Sequence, residues 1–151
     1  MKSKKIVPSI IILVVCMVTI FTVTWLTLSD VSSKTVYDFM IYSMLVPAVA
    51  CFICLLVIGL INRQFSIVSI YSVLMGVGVS VLSNIVVLTK VDEKAIQTMI
   101  DNTSSTESLT ITTSNAGVSS IITSVLVFAV ISAIGGAIGI AIGKGLVKKA
   151  V

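Results

Sequence analysis

The residues of this sequence with the clearest chemical potential are Cys51 and Cys54, which are separated by two residues. In a soluble protein this Cys-x-x-Cys spacing is typical of thiol redox centres and zinc sites. Here it falls in the middle of an apolar stretch, without a nearby positive charge to stabilise a thiolate. Zinc would need two further ligands, and only Cys16 remains. The sequence therefore predicts structural, buried cysteines, no metal site and no bound cofactor.

The absence of histidine excludes most of the remaining catalytic chemistry. Without it there are no Ser–His or Cys–His nucleophile pairs, no histidine metal ligands and no histidine pH switch. No carboxylate lies inside an apolar stretch, so proton-coupled multidrug exporters, rotary-ATPase ring subunits and intramembrane aspartyl proteases do not fit. The net charge of +4 comes from scattered residues rather than a patch, so we expect no nucleic-acid partner. We predict no catalytic residues and no enzyme activity.

Composition places this chain in a membrane. Of its 151 residues, 57% are hydrophobic and 11% are charged, whereas soluble domains have roughly 45–50% and about 25%. A membrane-spanning helix needs about 20 mostly apolar residues. Four stretches without charged residues meet this requirement, at 6–28, 39–61, 65–88 and 118–143. The sequence predicts an all-α integral membrane four-helix bundle that forms one transmembrane domain over residues 1–151.

The charged residues are divided unequally between the two sides of a four-pass chain. Seven of the ten basic residues fall on one side: Lys2, Lys4, Lys5, Arg63, Lys144, Lys148 and Lys149. The other side receives three lysines and all six acidic residues. By the positive-inside rule, both termini are predicted to be cytoplasmic in a cell membrane. Lys148 and Lys149 also resemble a dilysine retrieval signal, so the endoplasmic reticulum membrane is the alternative location in a eukaryote.

The segments that connect the spans carry their own signals. Thr35 and Asp38 have capping-box spacing, which predicts the start of the second helix. The turn at 62–64 is tight, so the second and third helices should be antiparallel neighbours. The first part of the outer loop 89–117 places its apolar side chains on one helical face, which predicts a short interfacial helix extending the third span. These apolar residues are Val91, Ala95, Ile96, Met99 and Ile100.

Small residues recur every fourth position in the last span. Gly135, Gly139 and Gly143 share one face, with a row of alanines beside it and a row of isoleucines on the opposite side. The alanines are Ala129, Ala133, Ala137 and Ala141; the isoleucines are Ile131, Ile134, Ile138 and Ile142. Such spacing lets two helix backbones approach closely in lipid. It predicts a helix-packing interface, either inside this chain's own bundle or with another chain.

The second and third spans carry weaker signals of the same kind. Ser72, Gly76, Ser80 and Asn84 form a four-residue repeat in the third span. Asn84 is the most polar side chain within the predicted spans, and we expect it to hydrogen-bond across helices as structural glue. Pro47 in the second span should kink the helix or mark a packing gap.

Two functions remain open after these exclusions. The first is a non-catalytic accessory, assembly or immunity-type subunit that acts through helix–helix contacts in the lipid bilayer, as a homo-oligomer or with a larger membrane-protein partner. The second is an oligomeric pore or transporter of neutral or lipidic solutes, which the glycine repeat and the serine and threonine content of the spans would permit. The small-residue stripes and the absence of recognisable chemistry favour the first.

Overall fold

The computed structural model describes residues 3–30, 33–103 and 118–149, and this part of the chain is helical and contains no strand. Its elements are α1 (Ser3–Thr27), α2 (Val36–Met40), a π-helical segment (Ile41–Leu45), α3 (Val46–Asn62), α4 (Phe65–Lys90), α5 (Glu93–Thr103) and α6 (Val118–Lys149). The predicted all-α class is confirmed. Residues 104–117 of the predicted outer loop lie outside the described residues.

Four helical stretches are long and apolar enough to cross a membrane: Ile6–Thr27, Val36–Asn62, Phe65–Lys90 and Ile121–Leu146. They coincide closely with the four apolar stretches of the sequence. Many large hydrophobic side chains on all four remain exposed, because a membrane bundle presents its outer surface to lipid rather than water. The chain is therefore a membrane-embedded, multi-pass protein.

The second span begins with the predicted capping box. The Thr35 hydroxyl accepts the Asp38 backbone N–H at 3.2 Å, and the Asp38 carboxylate accepts the Thr35 backbone N–H at 3.1 Å. Further along, Pro47 lacks an N–H, and its ring would crowd the carbonyl one turn earlier in a regular α-helix. The wider turn of the π-helical segment directly precedes this proline. The chain thus accommodates Pro47 through a local change of helix type.

Helix α6 is the main packing partner of both α3 and α4, which contact each other much less. Phe52 of α3 lies opposite Gly135, and Leu60 lies opposite Gly143. Because the residue number of α3 at the contact rises as the residue number of α6 rises, the two helices run in the same direction. The tight turn does join α3 to α4, but α6 contributes most of the packing surface for each.

Helix α5 differs from its prediction. Val91, with φ −112° and ψ 100°, ends α4, and the Asp92 carboxylate accepts the Ala95 N–H at 2.7 Å. This capping contact starts a new helix, so the prediction that α5 extends the third span is wrong. Its apolar face packs against protein, since Met99 forms a buried cluster with Leu28 and Val86. We refer to this end of the bundle as the α5 end.

The opposite end, where α3 passes into α4, contains a buried polar contact that the sequence did not indicate. Asn62 was expected in a turn, but it is the last residue of α3 and is only 5% exposed. Its amide donates to the Ser9 hydroxyl of α1 at 2.7 Å and to the Ile58 carbonyl at 3.0 Å. Arg63 follows with a left-handed φ of 56°. We refer to this as the Arg63 end.

The Ser9–Asn62 contact predicts a measurable coupling between α1 and α3. In a double-mutant cycle with Ser9→Ala and Asn62→Ala, we expect a favourable coupling free energy of about 0.6 kcal/mol and at most about 1.7 kcal/mol, the range known for hydrogen bonds between membrane helices. Reversible unfolding in mixed micelles measures it. Strictly additive single-variant effects would show that the bond contributes nothing to helix association.

Candidate functional site: the packing surfaces of α6

The stripe of Gly135, Gly139 and Gly143 lies directly on the backbone of α3. An added Cβ would collide with the Phe52 carbonyl at Gly135 and with the Leu56 carbonyl at Gly139. At Gly143 it would lie 3.0 Å from the Leu60 carbonyl oxygen. The three facing residues are also four apart, so one turn of α3 matches one turn of α6. Only glycine permits this approach, because a backbone carbonyl cannot rotate away as a side chain can.

The contact is reciprocal, because α3 contributes a glycine of its own. A Cβ on Gly59 would collide with the Gly136 carbonyl and lie 3.1 Å from the Ile140 nitrogen. Gly136 in turn faces the side chain of Val68 on α4. The sequence does not identify Gly59 as a packing residue, because a single glycine forms no repeat.

The repeat on α4 packs against the other side of α6. A Cβ on Gly76 would lie 2.8 Å from the Ala129 Cβ and 2.9 Å from the Val125 carbonyl oxygen. The Ser80 and Ser124 hydroxyl oxygens are 2.6 Å apart and share a hydrogen bond across the two helices. Ser72 is buried, and its hydroxyl donates to the Val68 carbonyl within α4 at 2.9 Å.

Asn84 acts differently from its prediction. Its amide donates to the Ser80 carbonyl at 2.7 Å and lies 3.5 Å from the Ser80 hydroxyl, both within α4. In the described part of the chain, the cross-helix bonds at this level are made by the Ser80 hydroxyl, which shares a hydrogen bond with Ser124 and lies 3.3 Å from the Ile121 carbonyl oxygen of α6. Among the described residues the Asn84 amide therefore bonds within its own helix, and its predicted contact across helices is not seen there. It supports the serine that makes the cross-helix bonds.

The three cysteines meet at the α1–α3 contact. Cys51 and Cys54 are 0% and 4% exposed and belong to the apolar core, whereas Cys16 is half-buried. The Cys16 thiol is 3.7 Å from the Ala50 carbonyl oxygen, within reach of a weak hydrogen bond. Across the described residues, no group of three His, Cys, Asp or Glu side chains could hold a metal ion. The arrangement fits the structural role that the sequence predicts for Cys51 and Cys54.

A second small-residue row on α6 points away from the bundle. Ala137, Ala141 and Gly145 are exposed, and a Cβ added at Gly145 would meet no atom within 4 Å. Beside them runs a ridge of exposed isoleucines. These six residues form the outward α6 face: Ile134, Ala137, Ile138, Ala141, Ile142 and Gly145. Helix α6 therefore has one small-residue face filled by α3 and another that no described residue covers.

No family model, curated protein or solved structure matches this chain. What α6 can do follows from its own two faces. The face toward α3 holds the bundle together through backbone contact. The outward α6 face presents a shallow groove of alanine and glycine beside a ridge of isoleucine, which is the surface shape that a further membrane helix can pack against.

The inward stripe predicts a severe effect of Gly139→Ile. A branched side chain placed on the Leu56 carbonyl must push α6 away from α3, and overpacking typically costs about 1–3 kcal/mol, to which the lost van der Waals contact is added. We expect a large loss of folded protein and a lower melting temperature in detergent, measured by size-exclusion chromatography and thermal unfolding.

The matched control is Ile138→Leu, one residue away on the outward α6 face. Ile138 is 40% exposed, and this isomeric change adds no volume, so we expect near-normal stability. If Gly139→Ile is as stable as Ile138→Leu, then the glycine stripe does not position α6, and the close approach of the two backbones is not a requirement of the fold.

Proposed function

We propose that this chain is a non-catalytic subunit of a membrane assembly, of the accessory, assembly or immunity type, and that it acts through helix–helix contacts. The observation that carries the proposal is the uncovered outward α6 face, in which Ala137, Ala141 and Gly145 are exposed. The glycines that hold the bundle together are already occupied by α3. The outward row is therefore an additional surface that the packing of the described residues does not use.

The chemistry of this face favours a protein helix as its partner. Lipid tails are as apolar as isoleucine, so helices associate in a bilayer through close packing rather than through the hydrophobic effect. Alanine and glycine lose no side-chain entropy when a helix covers them, and the isoleucine ridge can fit the groove of a neighbour. The partner is a larger membrane protein or a second copy of this chain.

We propose a cell-membrane location with both termini cytoplasmic, and the endoplasmic reticulum membrane as the alternative in a eukaryote. The seven-to-three division of basic residues supports this orientation. At the α5 end, the Lys90 ammonium lies 4.3 Å from the centre of the Trp25 ring, and the Lys34 ammonium lies 5.4 Å from that of Tyr42. Aromatic and basic side chains collect at membrane interfaces. We therefore place α5 at the outer interface.

The second candidate function is an oligomeric pore or transporter of neutral or lipidic solutes. Its support is the polar content of the interior: the hydroxyls of Thr24 and Ser83 are buried and lack a hydrogen-bond partner in the described structure. Such groups could serve a polar solute or water in another conformation. A homo-oligomer that conducts or transports in liposomes favours this function, and a stoichiometric larger partner without transport favours the first.

The proposed role of the outward α6 face predicts a specific effect of Ala141→Ile. Because Ala141 is exposed among the described residues, the added side chain should fill the groove without disturbing the fold, and the protein should lose its partner or its oligomeric state. Purification in mild detergent, followed by cross-linking and mass spectrometry of co-eluting proteins, measures this. Val73→Ile enlarges a lipid-exposed residue on α4 and should leave assembly intact. If Ala141→Ile assembles normally, another surface mediates the contact.

The proposed orientation predicts which introduced thiols can be reached from outside the cell. In a cysteine-free background, an impermeant thiol reagent should label Ser33→Cys and Ser105→Cys in intact cells. It should label Ser3→Cys and Ala150→Cys only after the membrane is opened. The reverse labelling pattern would show that the chain is inserted with its termini outside.

A further inference from the structure

The Arg63 end of the bundle contains an arginine in an uncommon backbone position. Arg63 ends α3 with φ 56° and ψ 16°, and among the described residues it is the only non-glycine with positive φ. Helices that end in this left-handed conformation usually have glycine there, because a Cβ is disfavoured. Replacement by glycine would remove the strain of the left-handed backbone. Any advantage of arginine at this position therefore comes from its side chain.

The arginine side chain is fixed across the junction of α3 and α6. Its Nε donates to the Leu60 carbonyl at 3.3 Å. A Cβ on Gly143 would lie 3.3 Å from both the Cγ and the Nε of Arg63, so the stem lies against the bare backbone of α6. Among the described residues, no hydrogen bond or ion pair engages the two terminal nitrogens of the guanidinium.

The positive charge at this end has no acidic counterpart among the described side chains. Lys144, which is exposed, directly follows the glycine that Arg63 packs against. The described carboxylates lie in the segments of the α5 end: Asp30, Asp38, Asp92 and Asp101. Arg63 and Lys144 are therefore not neutralised by a described carboxylate, and they lie at the level where the apolar spans α3, α4 and α6 end.

We propose that Arg63 forms a binding site for the phosphate of an anionic phospholipid, with Lys144 adding positive charge at the same end of the bundle. A guanidinium presents two parallel N–H groups that match a phosphate, and the ammonium of Lys144 adds a second positive charge. Lipid phosphates occupy the level at which the spans end, and anionic lipids are attracted by basic residues beside a span. A zwitterionic lipid carries a cation that these two residues repel. Arg63 packs against the glycine stripe rather than against the outward α6 face, so its test does not depend on the partner proposed there.

The test compares lipid binding by the full chain and by Arg63→Gly. Glycine suits the left-handed backbone, so this variant removes the guanidinium while favouring the fold. Native mass spectrometry in detergent supplemented with phosphatidylglycerol or phosphatidylcholine measures the bound lipid. We expect phosphatidylglycerol affinity to fall about fivefold, the effect of one basic residue near an anionic surface, with phosphatidylcholine binding unchanged. Lys144→Gln should give a smaller loss in the same direction.

The matched control is Lys94→Gln, which removes one exposed lysine from the α5 end and should leave phosphatidylglycerol binding as in the wild type. An Arg63→Gly variant that binds phosphatidylglycerol as the wild type does would overturn the proposal, as would an equal loss of both lipids. Displacement of the lipid by millimolar inorganic phosphate would assign the site to a free anion instead. If Arg63→Gly does not fold, the Lys144→Gln variant decides: reduced phosphatidylglycerol binding supports the proposal, and wild-type binding overturns it.

Discussion

Backbone contact between α3 and α6 is the constraint on which the rest of this bundle depends. In lipid, a helix gains little hydrophobic free energy when another helix replaces the lipid tails around it. Association therefore depends on how closely the two helices approach. Gly135 and Gly139 remove the side chains that would keep α6 from the carbonyls of α3, and Gly59 does the same from the other side. Any side chain at these positions must separate the helices and forfeit contact along several turns.

This close approach also organises the polar side chains. With α6 packed between α3 and α4, the Ser80 hydroxyl comes within 2.6 Å of the Ser124 hydroxyl. The Asn84 amide donates to the Ser80 carbonyl within α4. At the other end of the bundle, Asn62 links α3 to Ser9 of α1. Each bond is weak by itself, because the separated helices can also satisfy such groups locally. Their effect is to fix the register of helices that apolar packing alone would allow to slide.

The features that the sequence predicts correctly are those encoded by local spacing. Long apolar runs identify the spans, and the Thr35–Asp38 pair identifies a helix start, because both depend on neighbouring residues. The features it misses depend on which helix faces which. A lone Gly59 or a terminal Asn62 acquires its role only when a distant helix lies opposite. The break before α5 was hidden because its apolar face continues the periodicity of α4 through Val91, although Asp92 starts a separate helix.

The two small-residue faces of α6 have different explanations, although their sequence spacing is identical. On the inward face, glycine is required by the carbonyls opposite it. On the outward face no described contact requires a small residue, and exposed positions elsewhere carry large ones, such as Val14 and Ile11 on α1. Gly145 is notable here, because glycine weakens a helix by about 1 kcal/mol relative to alanine, and no described contact compensates for it. A residue that costs helix stability and fills no contact among the described residues favours a contact outside them. This is why the outward α6 face, rather than the glycine stripe, is the surface on which we base the proposed function.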